Sequence, residues 1–365
     1  MDRLEVSGIR KIFELASGIE GVVDLSLGQP DFPPALEIQE AAIRAIREGK
    51  HGYTVTMGLP ELREKIKAEL VRRAGFADQE IIITSGVSGG LFLAVGVLVE
   101  KGDEVILPDP YFVLYRNVVR FFAGKPVLLD TYPDFRVKPD RVERLITPRT
   151  KLILFNNPVN PTGVAYTREE VAAVADVARR HGIPVLSDEI YASYSYDFPH
   201  ESMMLHTKDV VLLGGFGKAY GITGWRLGFA AGPPEIIEKM TMLQQFSYVC
   251  PPTPAQYAGL AALDVHVHEN VRGHRQDYRR KRDYVHTALK DFYEVVRPQG
   301  AFYFFPKCPR GLKDEEFVRR AIDRKLLVVP GGACSRRTSH FRLSYAVPDA
   351  VLERGVDVLR KIARD

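Results

Sequence analysis

Between residues 81 and 231, short apolar, β-rich runs alternate with stretches whose apolar positions recur every three or four residues. The runs at 81–84, 104–107, 126–129, 151–155, 183–186, 210–213 and 226–231 read as strands. Residues 89–99, 111–122 and 168–181 read as helices between them. Near-continuous apolar strands alternating with helices predict a mostly parallel sheet covered on both faces. The gap from Leu213 to Arg226 has no room for a crossover helix, so one strand is expected to be antiparallel. Helical periodicity then extends from Pro234 to about Lys290. Beyond it "VRPQGAFYFFP", "LLVVPGG" and "HFRLSYA" read as strands of a smaller sheet, with helices at 314–325 and 348–363. The expected class is α/β, with a large domain over residues 30–265 and a smaller α+β domain formed by 1–29 plus 266–365.

Composition narrows the function classes. At 365 residues the chain exceeds the ~250–300 at which one core usually divides. Its 45% hydrophobic and 26% charged content is that of an ordinary globular protein. The net charge of +4 is too small and too scattered for a nucleic-acid face. The cluster Arg279-Arg280-Lys281-Arg282, between Asp277 and Asp283, reads as a solvated helix face. Cys250, Cys308 and Cys334 have no metal-like spacing, and His266 and His268 would point to different faces of a helix. Neither a zinc site nor a disulfide framework is expected. The opening "MDRLEVSGIRKIFELASG" lacks the apolar middle of a signal peptide, and no apolar run nears the ~20 residues of a membrane span. The expectation is a cytoplasmic protein with no membrane or nucleic-acid partner.

Candidate chemistry collects at the carboxyl ends of the strands, where open α/β sheets bind ligands. Those ends carry Ser85-Gly86-Val87-Ser88, Asp109-Pro110-Tyr111, Asn156-Asn157, Ser187-Asp188-Glu189 and, after another strand, Lys218. A lysine in a cleft loses its proton more readily and becomes a nucleophile toward aldehydes. "TSGVSGG" offers a helix amino terminus to a phosphate, and Arg226 offers a forked cation. Asp188 suits a protonated pyridine nitrogen, Tyr111 the flat face of a ring, and Tyr191 and Asn160 a phenolic oxygen. Together these types suggest pyridoxal phosphate. Taken singly, Asp188 is equally a cap, Tyr111 and Tyr191 read as core or rim aromatics, and Arg342 reads as a strand's solvent-facing charge. "NNPVNPTG" is more specific, since its two Asn-Pro steps forbid helix and make one or both prolines candidates for cis.

The chain resembles the fold type I, class I/II aminotransferases, the aspartate-aminotransferase-like group. The resemblance runs from "LSLGQPDF" through "HGYTVTMGLPELREKI", "TSGVSGGL", "NNPVNPTG", "LSDEIY" and "GFGKAYGITGWRLGF" to "PQGAFYFFP" and "FRLSYA". It implies that Lys218 is the Schiff-base lysine and that Asp188 pairs with the pyridine nitrogen. Asn160 and Tyr191 would contact the ring oxygen and Tyr111 would stack on the ring, with Val87, Ser88 and Arg226 on the phosphate. Arg342 would grip the substrate α-carboxylate, beside Gly28 and Asn160. Tyr53 would reach the phosphate of a neighbouring subunit, implying a homodimer with shared sites. Departures from the family pattern are Gly217 before the lysine, Gly89-Gly90 near a helix start, and "PGGACSRRTSH", whose Arg336 and Arg337 are either surface charges or an entrance lining.

The implied reaction is a ping-pong transfer of an amino group from an L-amino acid to a 2-oxo acid such as 2-oxoglutarate. "SGIRKIFELA" resembles the openings of aspartate and aromatic aminotransferases, which favours those donors. A β-elimination lyase on the same cofactor, and a non-catalytic cofactor-binding regulatory domain, are the alternatives.

Overall fold

The structure is a computed structural model that describes residues 20–75 and 78–365, without the side chains of 74, 265, 266 and 268. The opening "SGIRKIFELA" and the His266 and His268 side chains therefore lie outside the described residues. The chain enters through a short strand, β1 (Val23–Asp24). It then forms the strands of a central sheet: β2 (Glu80–Ser85), β3 (Glu104–Asp109), β4 (Lys125–Asp130), β5 (Thr150–Asn156), β6 (Val185–Asp188), β7 (Val210–Gly215) and β8 (Leu227–Gly232). Their order is β2-β8-β7-β6-β5-β3-β4. All neighbours are parallel except β8, which runs antiparallel to both β2 and β7.

Successive residues of these strands serve opposite cores. Ile81, Ile83, Ile106, Ile153, Phe155 and Leu212 face one apolar cluster, while Ile82, Val105, Leu107, Leu152, Leu154 and Leu213 face another. Period-two geometry with both faces apolar explains why these runs read as continuous rather than alternating. Among the described residues, no helix is long and apolar enough to cross a membrane.

A third core lies under the chain's end. Strands β9 (Tyr303–Phe304), β11 (Val329–Pro330) and β12 (Phe341–Ser344) form an antiparallel sheet, while β1 pairs in parallel with β10 (Leu326–Leu327). The run "LLVVPGG" thus supplies two short strands, not one.

Other boundaries also differ from expectation. The stretch from Pro234 divides into helices Pro234–Gln245, Thr253–Ala262 and Val265–Leu289; after the first, Val249 turns left-handed at φ 63° and its N–H closes on the Gln244 carbonyl, ahead of Pro251 and Pro252. The helix expected from Tyr111 starts at Val113, since Phe112 keeps an extended backbone. The strand expected over 183–186 pairs instead from Val185 to Asp188. The basic cluster is a correction of a different kind. Arg279 and Arg280 are exposed, but Lys281 and Arg282 are buried. The Lys281 ammonium donates to Asp31 at 2.6 Å, and Arg282 donates to Asp197 at 3.0 Å. The first pair clamps the long helix against the loop that carries Gly28, and the second ties it to the segment after Tyr194.

Candidate active site

At one edge of the sheet, the register sets Asn156 beside Asp188, Asp188 beside Leu213, and Ser85 beside Leu227. The segments leaving this edge enclose a cavity of about 240 Å³. Gly86, Val87 and Ser88 line it from the start of helix Gly86–Leu98, and Asn160, Asp188, Tyr191, Lys218 and Arg226 line it from later strand exits. Gly28, Tyr303 and Arg342 close it from the smaller sheet's side.

One end is built for an anion. Gly86 has φ +66°, and a Cβ there would lie 2.7 Å from Arg226 Nη2, so only glycine lets the guanidinium rest on the helix's amino terminus. Arg226 itself takes the left-handed conformation at φ 53° and donates from Nη1 to the Thr223 carbonyl at 3.0 Å. Free N–H groups at a helix start beside an arginine can hold a phosphate.

In the middle stand an amine and an acid. The Lys218 ammonium donates to the Gly28 carbonyl. Burial, aided by the positive Arg342 and Arg226 and opposed by Asp188, pushes its pKa down to about 8. Burial pushes the Asp188 carboxyl up to about 6, although the Tyr115 hydroxyl donates to Oδ2 at 2.7 Å and the Ile190 N–H to Oδ1 at 3.1 Å. Asn156 ties this strand end to the next loop: its Nδ2 donates to the Asp188 carbonyl at 2.9 Å, and its Oδ1 accepts the Asn160 N–H at 2.8 Å. Both Asn-Pro bonds of that loop, 157–158 and 160–161, are cis.

The raised Asp188 pKa has a measurable sign. The native state holds this proton up to about pH 6, whereas an unfolded aspartate releases it near 3.8, so Asp188 makes the protein less stable as pH rises through that window. Cofactor-free Asp188→Asn is therefore expected to melt above the cofactor-free parent at pH 7. That gap should narrow steadily between pH 6 and 4, as calorimetric scans across this range would show.

The remaining end offers a cation. Arg342 is 3% exposed, donating from Nη1 to Asn160 Oδ1 at 3.1 Å and from Nη2 to the Ser26 carbonyl at 2.7 Å. Its buried Nε has no hydrogen-bond partner, and no carboxylate pairs with it among the described residues. The expected reading of a solvent-facing charge, open on the residue alone, does not hold. The Tyr191 and Tyr303 hydroxyls meet at 2.8 Å in the same region.

Tyr111 and Tyr53 do not line this cavity. Tyr111 is buried beside it, its N–H bonded to the Cys334 carbonyl at 2.8 Å and its hydroxyl accepting from Arg116 at 3.2 Å. In the extended segment before the helix, adjacent side chains diverge, and it is Phe112 that lines the cavity. Tyr53 is 85% exposed. Neither Arg336 nor Arg337 lines the cavity: Arg337 pairs with Asp130 at 2.7 Å and stacks over Tyr132. Gly89 and Gly90 do not interrupt their helix; they give room to the Tyr248 hydroxyl and to Leu213. Sequence reasoning missed Phe112, Tyr115 and Tyr303. The second aromatic of "PYF" signalled Phe112, but nothing local marked the two tyrosines.

The profile of the family described as Aminotransferase class I and II matches residues 20–359. The chain is 37% identical to a probable aspartate aminotransferase of Methanocaldococcus jannaschii, covering 98% of this chain and 97% of the relative. It is 36% identical to aromatic-amino-acid aminotransferase 2 of Thermococcus litoralis, covering 100% and 98%. The solved aspartate aminotransferase of Thermus thermophilus with maleate superposes at a TM-score of 0.93 with 34% identity, covering 99% and 98%.

Proposed function

This chain belongs to aminotransferase class I and II, and from that premise we propose that the cavity moves amino groups between aspartate or an aromatic amino acid and a 2-oxo acid, with Lys218 as the reactive amine. The protein is a pyridoxal-phosphate-dependent aminotransferase; the donor, the acceptor and the residue roles are the proposal.

The residues present fit the cofactor. The cradle that a Cβ at Gly86 would fill suits its phosphate, held by the Val87 and Ser88 N–H groups and Arg226. Asp188, buried and braced by Tyr115, would keep a proton on the ring nitrogen. Tyr191 and the Asn160 amide nitrogen would donate to the ring oxygen, and Phe112 would cover a face. When bound, the group supplies an aldehyde that holds amino nitrogen covalently and a ring that accepts the electron pair left at the substrate's α-carbon. Lys218 Nζ, readily neutral in this setting, would take the α-proton and return it. Arg342 would hold the α-carboxylate by its fork, fixing the α-carbon near that amine.

The observation that carries this reading is Arg342: a buried guanidinium without a carboxylate partner is costly unless a ligand supplies one. Arg342→Ala is expected to lower kcat/KM by about 100-fold for every donor alike, mainly through KM. Steady-state kinetics with several donors would show it, and an unequal loss among donors would assign the residue to side-chain recognition instead.

The lining favours an aromatic donor, and the names of the relatives keep aspartate beside it. Among the described residues the lining has no cation besides Lys218, Arg226 and Arg342 for an acidic side chain, while Leu27, Phe112, Ile190 and Leu227 suit an aromatic one. The printed names of the relatives include both aspartate and aromatic aminotransferases. A half-reaction screen of the twenty amino acids, followed by loss of the cofactor's visible absorbance, tests the proposal. Donors should bleach one equivalent and stop until a 2-oxo acid is added. Continuous turnover of an amino acid alone would instead indicate a lyase.

We also read the protein as a cytoplasmic homodimer. Exposed Tyr53, Val55, Met242 and Phe246 support a second copy as their cover. The pairing of Val23–Asp24 with Leu326–Leu327 supports joining residues 1–29 to 266–365 as the smaller domain beside 30–265.

A further inference from the structure

We propose that Tyr303 is a positioning residue that couples the two ends of the site: its hydroxyl orients Tyr191, and its ring braces Arg342. The inference rests on the reading of the cavity given above. Strands β9 and β12 pair antiparallel with Ser344 opposite Tyr303, so Arg342, two residues along, projects from the same sheet face as Tyr303. The Arg342 guanidinium carbon stands 4.8 Å from the Tyr303 ring centroid. The Tyr303 hydroxyl meets the Tyr191 hydroxyl at 2.8 Å. A Cβ on residue 28 would fall 2.1 Å from the Tyr303 oxygen, so the phenol occupies the space that glycine leaves. The carbonyl of the same glycine accepts from Lys218. One side chain therefore touches the residues that face the ring oxygen, the carboxylate and the reactive amine.

The two contacts do different work. Either hydroxyl of this 2.8 Å pair can donate; once Tyr191 donates to an anionic oxygen in front of it, its Oη accepts from Tyr303, which polarises Tyr191 and strengthens it as a donor. A ring face under a guanidinium fixes its plane without consuming an N–H, leaving donors for a carboxylate. Substitution separates them, because Tyr303→Phe deletes the hydroxyl and keeps the ring, while Tyr303→Leu deletes both.

The test titrates the visible absorbance of each holoenzyme against pH and measures KM for one good donor. Tyr303→Phe is expected to move the absorbance midpoint up by about half a pH unit, because the ring oxygen is less well stabilised as an anion and the cofactor holds its proton longer. Its donor KM should stay within about twofold of the parent. Tyr303→Leu should show the same shift together with a KM raised about tenfold. A Tyr303→Phe midpoint equal to the parent's, or a KM rise as large in Phe as in Leu, overturns the proposal. Lys218→Ala, assayed alongside, separates the two levels. Retained transfer in that variant refutes the underlying reading, whereas transfer lost there with an unshifted Tyr303→Phe midpoint refutes the Tyr303 role alone.

Discussion

Lys218→Ala is expected to lower the rate of amino transfer by about 10⁴-fold or more, the largest effect of any single substitution in the cavity. In the proposed reaction the amine would serve as both the attachment point and the group that moves the α-proton, and positioned acid–base catalysis alone is commonly worth ~10²–10⁴. Its setting explains the choice of residue. A lysine whose pKa burial and two nearby arginines lower to about 8 gives up its proton at a pH where a solvated lysine stays an ammonium. Stopped-flow bleaching by a good donor would measure the loss. Added methylamine should restore part of the rate, since it replaces the missing base without refilling the covalent link.

Asp188→Ala should reduce kcat by about 10³-fold, with a smaller change in donor KM. In the proposed role the carboxylate would act on the developing negative charge rather than on the bound substrate, so its loss would be felt in the transition state. The alanine variant also leaves the Tyr115 hydroxyl without its acceptor. Thermal melting separates the catalytic loss from a folding defect, because removal of a buried charge should leave the cofactor-free protein no less stable at pH 7. Here function and stability pull apart: the aspartate best placed to hold a ring proton is one whose ionised form the fold disfavours.

Much of this arrangement was legible in the chain because it follows from local pattern. The seven strands of the central sheet stood out as apolar runs, and the short path from Leu213 to Arg226 correctly required an antiparallel neighbour. Sites at strand exits followed from the same topology, which is why Asp188, Asn160, Lys218 and Arg226 come together in one cavity. What escaped was tertiary. Tyr115 and Tyr303 sit in apolar segments and read as core, yet the partners of their hydroxyls lie 73 and 112 residues away. Tyr111 and Phe112 differ by a single step of extended backbone, and sequence chose the wrong one for the cavity. The clamp made by Lys281 and Arg282 was hidden for a related reason. A run of four basic residues on a helix reads as solvated unless the acids that meet two of them, Asp31 and Asp197, are known to fold against it.

Reduction of the holoenzyme with borohydride, followed by proteolysis and mass spectrometry, would locate the lysine to which the cofactor is joined. The account predicts a single modified peptide carrying the adduct on Lys218, and none after Lys218→Ala. An adduct on another lysine of the parent protein would contradict it.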